Sequence, residues 1–260
     1  LSKRKTGALR QQEQDTRYSH SKKHDTQTYY TKESKTINFD QARIKLDRKP
    51  ITLVPKSVNQ EKYILALLNE NVDIVVVGGP AGTGKTYLAM QAAIKALKAG
   101  EVDRIILTRP AVGVDDEKHG FLPGDLNQKM EPWTRPLLDV LREYYAASEI
   151  AHMLEEQIVE IAPLAFCRGR NFKHSYIVLD EAQNATPSQL KMIMTRIGVG
   201  SKIVITGDIE QADRKSADNG LLDLQNRLGK GVIPGLQMCH FDIKDVQRHR
   251  IIEHVLKLYS

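Results

Sequence analysis

The sequence predicts an α/β domain over residues 51–260, a mostly parallel sheet covered by helices on both faces, preceded by a basic tail over residues 1–50. Three observations predict it. Short, continuously apolar runs such as Ile74-Val75-Val76-Val77 read as strands buried on both faces, as in a parallel sheet. Stretches with helical spacing alternate with those runs, the order that crossover-connected strands require. Aliphatic residues become dense only in the second stretch, whereas residues 1–35 are rich in Lys, Arg, Gln, Ser, Thr and His, a composition that predicts disorder.

Each element follows in order. Ile37 to Val54 carries too few apolar residues for a domain of its own. Ser57-Val58-Asn59-Gln60 resembles a capping box that opens a helix through Asn69. Asp73–Gly78 predicts a strand, followed by a helix over Lys85–Ala99. In that helix Leu88, Ala89, Ala92, Ala93, Ala96 and Leu97 share one broad face, and Gly100 is the stop. Asp103–Thr108 predicts the next strand. A Pro- and Gly-rich loop then leads into helical sequence from Asp125 to Glu156, interrupted near Pro132. Further strands are predicted at Ile158–Ala162, Ser175–Leu179, Lys202–Thr206 and Leu236–Phe241. Thr186, Pro187 and Gln189 mark a helix start between the middle pair, as cap, first residue and box partner. Another helix begins near Asp218 and ends at Gly229, and the last runs from Asp245 to Leu258.

The bulk properties bound the class. A body of this size buries roughly 70% of its unfolded surface, so it needs no disulfide or metal staple. Cys167 and Cys239 lack C-x-x-C spacing and predict reduced thiols in a cytoplasmic protein. No apolar run reaches the ~18 residues of a membrane span, and the N-terminus lacks a hydrophobic signal core, so no membrane partner is expected. The eight histidines form no zinc-like spacing. Residues 1–50 hold 13 Lys/Arg against 6 Asp/Glu, while residues 51–260 hold 25 against 26. The basic character belongs to the tail, which is either a solvated leader or an arm for phosphate backbones.

Three clusters carry chemistry. Gly79-Pro80-Ala81-Gly82-Thr83-Gly84-Lys85-Thr86 fits G-x-x-x-x-G-K-[ST] between a strand and a helix. Its backbone N–H groups and the helix N-terminus suit the phosphates of ATP. Lys85 would reach the β/γ-phosphates, and Thr86 would give a hydroxyl to Mg²⁺. Asp180 and Glu181 close the apolar run Tyr176–Leu179, on the edge where open α/β sheets bind ligands. Asp180 is placed to hold Mg²⁺ through water and Glu181 to deprotonate an attacking water. In Thr206-Gly207-Asp208-Ile209-Glu210-Gln211, Gln211 can contact the γ-phosphate or the lytic water. Gln60 either reads the adenine edge or caps its helix. Arg248 is either an arginine finger or a solvated helix residue. Arg109, which ends a strand on the ligand edge, and Arg168 and Arg170 are the candidates for nucleic-acid phosphate, and Trp133 reads as core or interface rather than a base-stacking platform.

In this order the motifs closely resemble the PhoH family, the phosphate-starvation-inducible proteins. The resemblance runs from about Pro55 to the C-terminus and rests on the phosphate loop, Leu107-Thr108-Arg109-Pro110, Gly120-Phe121-Leu122-Pro123-Gly124-Asp125, Ala165-Phe166-Cys167-Arg168-Gly169-Arg170, Leu179-Asp180-Glu181-Ala182-Gln183 and Gly207-Asp208. It implies a RecA-like P-loop NTPase core similar to the first motor domain of superfamily 1 helicases. There Gln60 corresponds to an adenine-reading glutamine and Gln211 to the γ-phosphate sensor. It also implies a link to RNA metabolism. Residues 1–50 are too short and polar for the PIN nuclease or KH-like domain of some relatives. Many relatives place Gly-Glu before the G-F-L-P-G-D block, where this chain reads Val114-Asp115-Asp116-Glu117-Lys118-His119; Glu117 can keep the carboxylate role.

The first expectation is therefore an ATPase acting on RNA or single-stranded DNA. The second is a nucleotide-dependent switch or assembly factor with slow hydrolysis. A P-loop kinase fits less well, because its nucleophile arrives on the substrate and needs no Glu181. With one RecA-like domain expected, an arginine from a neighbouring subunit in a homo-oligomeric ring, a hexamer, is expected to complete the site. Arg248 is the first candidate, ahead of Arg170 and Arg168.

Overall fold

The computed structural model describes residues 51–110, 135–211, 219–229 and 231–247. The basic N-terminal stretch, Glu117, the Gly120–Asp125 block, Trp133 and Arg248 lie outside the described residues.

Six strands form one sheet: β1 (Ile74–Gly78), β2 (Arg104–Arg109), β3 (Val159–Pro163), β4 (Ser175–Leu179), β5 (Lys202–Gly207) and β6 (Leu236–His240). Their order is β3-β2-β4-β5-β1-β6, and every pairing is parallel. Among the described residues they are accompanied by α1 (Val58–Leu68), α2 (Lys85–Ala99), α3 (Ala147–Glu155), α4 (Pro187–Met194) and α5 (Gly220–Leu228). Residues 135–142 are also helical.

Strand side chains alternate between two apolar layers. Val75, Val77, Ile105, Leu107 and Val178 pack with residues of α1, α2, α3 and residues 137–141. Val76, Ile106, Ile177, Ile203 and Ile205 face the opposite layer, with Leu190 and Ile193 of α4 and Leu221 and Leu224 of α5. Both faces are thus covered, as the apolar runs predict, and each fully buried aliphatic side chain contributes about 1.5–3 kcal/mol.

Local signals set the helix boundaries. At α4 both halves of the box form: Gln189 N donates to Thr186 Oγ1 (3.3 Å) and Thr186 N to Gln189 Oε1 (2.9 Å). At α1 only half forms. Gln60 N donates to Ser57 Oγ at 3.2 Å, but Gln60 Oε1 accepts from Lys56 N (2.7 Å) instead of Ser57 N.

Two expectations are corrected. The helical stretch expected to run to Glu156 breaks after residue 142 and restarts at α3. Ala146 N donates to Glu149 Oε2 (2.7 Å), a first-turn acidic cap that favours a new helix start there. The last helix does not begin at Asp245. Ile243–Asp245 is a single 3-10 turn, and Val246 is extended (φ −64°, ψ 118°). The Asp245 carboxylate closes that turn by accepting from Asp242 N (2.7 Å) and from Asn59 Nδ2 (2.8 Å).

Candidate nucleotide-binding site

The parallel register brings the strand ends to one edge. Gly78 pairs with Gly207, Leu179 with Ile205 and Thr108 with Leu179. The residues that follow these strands therefore converge: the phosphate loop after β1, Asp208 after β5 and Asp180 after β4, with Arg109 at the end of β2. Strand β5 lies between β1 and β4, so the strands that lead into the loop and into Asp180 stand two strand spacings apart, about 10 Å. The cleft between them, about 340 Å³, is lined by Lys85, Thr86, Arg109, Asp180, Glu181 and Gln211 among others.

The loop is tied down from beneath. Gly79 has φ 144°, and a Cβ there would lie 2.4 Å from Phe241 O, so β6 packs where only glycine fits. Phe241 in turn meets Tyr63 edge-on at 5.6 Å, and Tyr63 Oη donates to Lys85 O (3.2 Å). Gln60, 3% exposed, donates from Nε2 to Thr83 O (3.0 Å). Gln247 N donates to Gly82 O (2.8 Å). One loop N–H already donates to an anionic oxygen, Ala81 N to Asp208 Oδ2 (3.1 Å). The Lys85 ammonium lies in the loop on Gly79 O (2.6 Å) and Pro80 O (2.7 Å). Backbone N–H groups, a fifteen-residue helix opening at Lys85 and an ammonium in the loop fit a polyphosphate.

Asp180 is 4% exposed and fully partnered. Its Oδ1 accepts from Thr86 Oγ1 (2.8 Å) and Thr206 Oγ1 (2.6 Å), and its Oδ2 accepts from Arg109 Nε (3.1 Å) and Nη2. Thr86 and Asp180 thus present a hydroxyl and a carboxylate together, the hard oxygen pair that suits Mg²⁺ with bound waters. Glu181 adopts the left-handed conformation (φ 56°, ψ 40°) ahead of a 3-10 turn at Ala182–Asn184. Such a conformation costs a non-glycine residue about 1–2 kcal/mol and is characteristic of functional sites. Two bonds hold it: Asn184 N donates to Glu181 O (3.0 Å), and Gln183 Nε2 donates to Glu181 Oε2 (2.6 Å). Gln183 Oε1 accepts from Asp208 N (3.0 Å). A chain of polar contacts therefore runs from Glu181 through Gln183 and Asp208 to Ala81. Tyr87 also lines the cleft, but burial and its bond to Glu143 push its phenol well up, so it stays protonated.

The residues singled out from sequence are distributed as follows. Ala81, Gly82, Gly84, Lys85, Thr86, Asp180, Glu181 and Gln211 line the cleft, while Gly79, Pro80 and Thr83 belong to the same loop outside its lining. Gln60 sits beneath the loop, its carbonyl accepting from Lys56 N and its amide donating to Thr83 O, so only half of the capping box forms. Arg109 is turned to Asp180, not to an outer surface. Arg170 is paired with both oxygens of Glu160 and lies over the Phe172 ring at 4.7 Å. Arg168 is exposed. Gln183, Asp208 and Thr206 had no assigned role in the sequence reading. The signal for Gln183 and Asp208 was their place beside motif residues; Thr206 needed the β4–β5 pairing.

The family model described as PhoH-like protein matches residues 52–260. The PhoH-like protein of Bacillus subtilis (strain 168) is 46% identical over 205 residues, 79% of this chain and 63% of that one. The PhoH-like protein of Mycobacterium tuberculosis (strain H37Rv) is 43% identical over 217 residues, 83% and 60% of the two chains. Protein PhoH of Escherichia coli (strain K12) is 37% identical over 222 residues, 84% and 61%. The chain thus spans about three fifths of the curated relatives it matches. Among solved structures, the Hef helicase domain of Pyrococcus furiosus is a distant likeness, at 15% identity over 78% of this chain and 41% of that one, TM-score 0.44. No helix among the described residues is long and apolar enough to cross a membrane.

Proposed function

Because this chain belongs to the PhoH-like protein family, we propose that it binds MgATP in the cleft between the phosphate loop and Asp180, hydrolyses it, and couples the cycle to RNA or single-stranded DNA. The observation that carries the reading is the 2.8 Å contact of Thr86 with Asp180, which joins the loop helix to the strand end where Glu181 stands. Loop N–H groups would hold the phosphates. Lys85 would leave Gly79 O and Pro80 O for the β/γ-phosphates. Thr86 and Asp180 would hold Mg²⁺, which when bound neutralises charge on the phosphate oxygens. Glu181 would take the proton of the attacking water, and Gln211 would contact the γ-phosphate.

Phosphate release, measured with and without single-stranded RNA and DNA, tests both halves. Stimulation by either strand is expected. No phosphate release by the wild-type chain under any of these conditions would overturn the ATPase reading. One observation favours the slower, switch-like alternative: Asp180 is already engaged by Thr86, Thr206 and Arg109. Single-turnover hydrolysis without steady-state turnover would favour it.

The active form we propose is a homo-oligomeric ring, a hexamer, in the cytoplasm. Arg109, which lines the cleft, serves Asp180, and in this reading a neighbouring subunit adds an arginine for the γ-phosphate, with Arg248 the first candidate.

A further inference from the structure

We propose that Phe166 is a stacking platform for a base of single-stranded nucleic acid, with Arg168 beside it on the phosphate backbone. This rests on the nucleic-acid half of the function proposed above and adds the residue that touches a base.

The observation is an exposed aromatic side chain on anchored backbone. After β3 the chain makes a 3-10 turn over Leu164–Cys167. Residues three apart eclipse in such a turn, so Leu164 and Cys167 enter the core together, both fully buried. Cys167 Sγ also approaches Thr108 Oγ1 at 3.8 Å. Phe166 between them is driven outward and is 54% exposed, whereas Phe172 and Phe241 are buried. Its exposure is therefore imposed by the turn.

The surroundings favour a polyanion with flat rings. Residues 164–174 contain Arg168, Arg170 and Lys173 and no Asp or Glu. Arg168 is exposed, and among the described residues no carboxylate contacts it. Gly169 follows with φ 78° and open space on its Cβ side, which leaves room beside Arg168. Arg170 differs: its guanidinium is neutralised by Glu160 and stacked on Phe172, so it stiffens the loop. An exposed aromatic ring two residues from an arginine that no described carboxylate pairs is the minimal site for single strands, because every base has a π-face and every step a phosphate. The loop also has a short route to the cleft. Cys167 rests on Thr108, and the next residue, Arg109, grips Asp180.

The test measures binding of the full chain to a short oligouridylate and to an abasic single strand of equal length. Phe166→Leu keeps apolar bulk but has no ring. It should weaken oligouridylate binding about fivefold or more, the lower end of base–aromatic stacking, and leave the abasic strand unchanged. Phe166→Trp should restore binding. Arg168→Ala should weaken both strands and reduce the salt slope by about one. Wild-type affinity for oligouridylate in Phe166→Leu would overturn the platform and leave the nucleic-acid reading standing. Equal loss on both strands would also overturn it, since bases would then not be what Phe166 recognises. A wild-type chain that binds neither strand would overturn both readings.

Discussion

Replacing Gln183 by leucine removes two hydrogen bonds from a side chain that is 1% exposed, while keeping much of its volume. The bond to the Glu181 carboxylate is charge-assisted, a class that contributes about 1.5–3 kcal/mol. Glu181 is half-buried, so water recovers part of that loss. The second loss leaves the N–H of Asp208, itself buried, without its acceptor, at a cost of about 1–3 kcal/mol. Together these predict a destabilisation of about 2–4 kcal/mol. For a domain of this size that lowers Tm by about 4–16 °C. The catalytic effect is separable. Glu181 would lose the contact that fixes its carboxylate, and a displacement of about 1 Å can cost ~10²-fold in rate. Lys85 and Thr86 are untouched, so KM for ATP should stay within about threefold while kcat falls at least about tenfold. Steady-state ATPase assays below both melting temperatures, with thermal unfolding in parallel, measure the two effects. Wild-type kcat in a destabilised Gln183→Leu protein would refute the positioning role. A KM that rises as much as kcat falls would move the effect to phosphate binding through Asp208 and Ala81.

Four further outcomes are expected. Lys85→Ala should abolish tight MgATP binding, whereas Glu181→Gln should bind nucleotide and fail to hydrolyse it; equal affinity losses by calorimetry would show the roles are wrongly divided. Gly79→Ala puts a Cβ 2.4 Å from Phe241 O and should cost at least the ~1–3 kcal/mol of an overpacked core; an unchanged melting temperature would count against this packing. Burial alone would raise the Asp245 carboxyl, but hydrogen bonds from Asn59, Ser57 and the Asp242 N–H, with His240 nearby, hold it below the usual range. Its stabilising effect is therefore present above the unfolded value of about 3.9 and is lost as pH falls through the depressed folded value. Asp245→Asn should be less stable than wild type at neutral pH and converge with it in acid, and a pH-independent gap in urea melts would contradict that. Mixing Arg248→Ala with Glu181→Gln subunits should recover part of the ATPase activity if the arginine acts on a neighbour, and a monomer by light scattering that hydrolyses ATP briskly would end the ring proposal.

The glycine spacing of Gly79–Thr86 and the carboxylates after an apolar run were legible because both are local: a turn between strand and helix, and a strand end. The two-sided sheet was legible for the same reason, through strands such as Ile74–Gly78 that are apolar at every position. Contacts set by strand order were not. Thr206 reaches Asp180 only because β4 and β5 are neighbours, and Arg109 reaches it because β2 is on the other side. Gln183 lies within a legible motif, but its direction depends on the left-handed turn at Glu181, which no side-chain pattern announces. The helix start expected at Asp245 failed because Asp245 closes a 3-10 turn with Asn59, a partner far away in sequence.

The crowding of donors around Asp180 has a consequence for the order of events. Its two oxygens are satisfied by a threonine from α2, a threonine from β5 and a guanidinium from β2. A carboxylate so well supplied attracts little from solution, so a free divalent ion meets a site that is already electrically quiet. On the proposed role of Asp180, a cation gains entry by trading places with internal partners. That exchange would become favourable when phosphates held by the loop and Lys85 supply further oxygen ligands to the cation. The ion and the nucleotide would then be admitted as one unit, and the resting protein would be guarded against metal that comes alone.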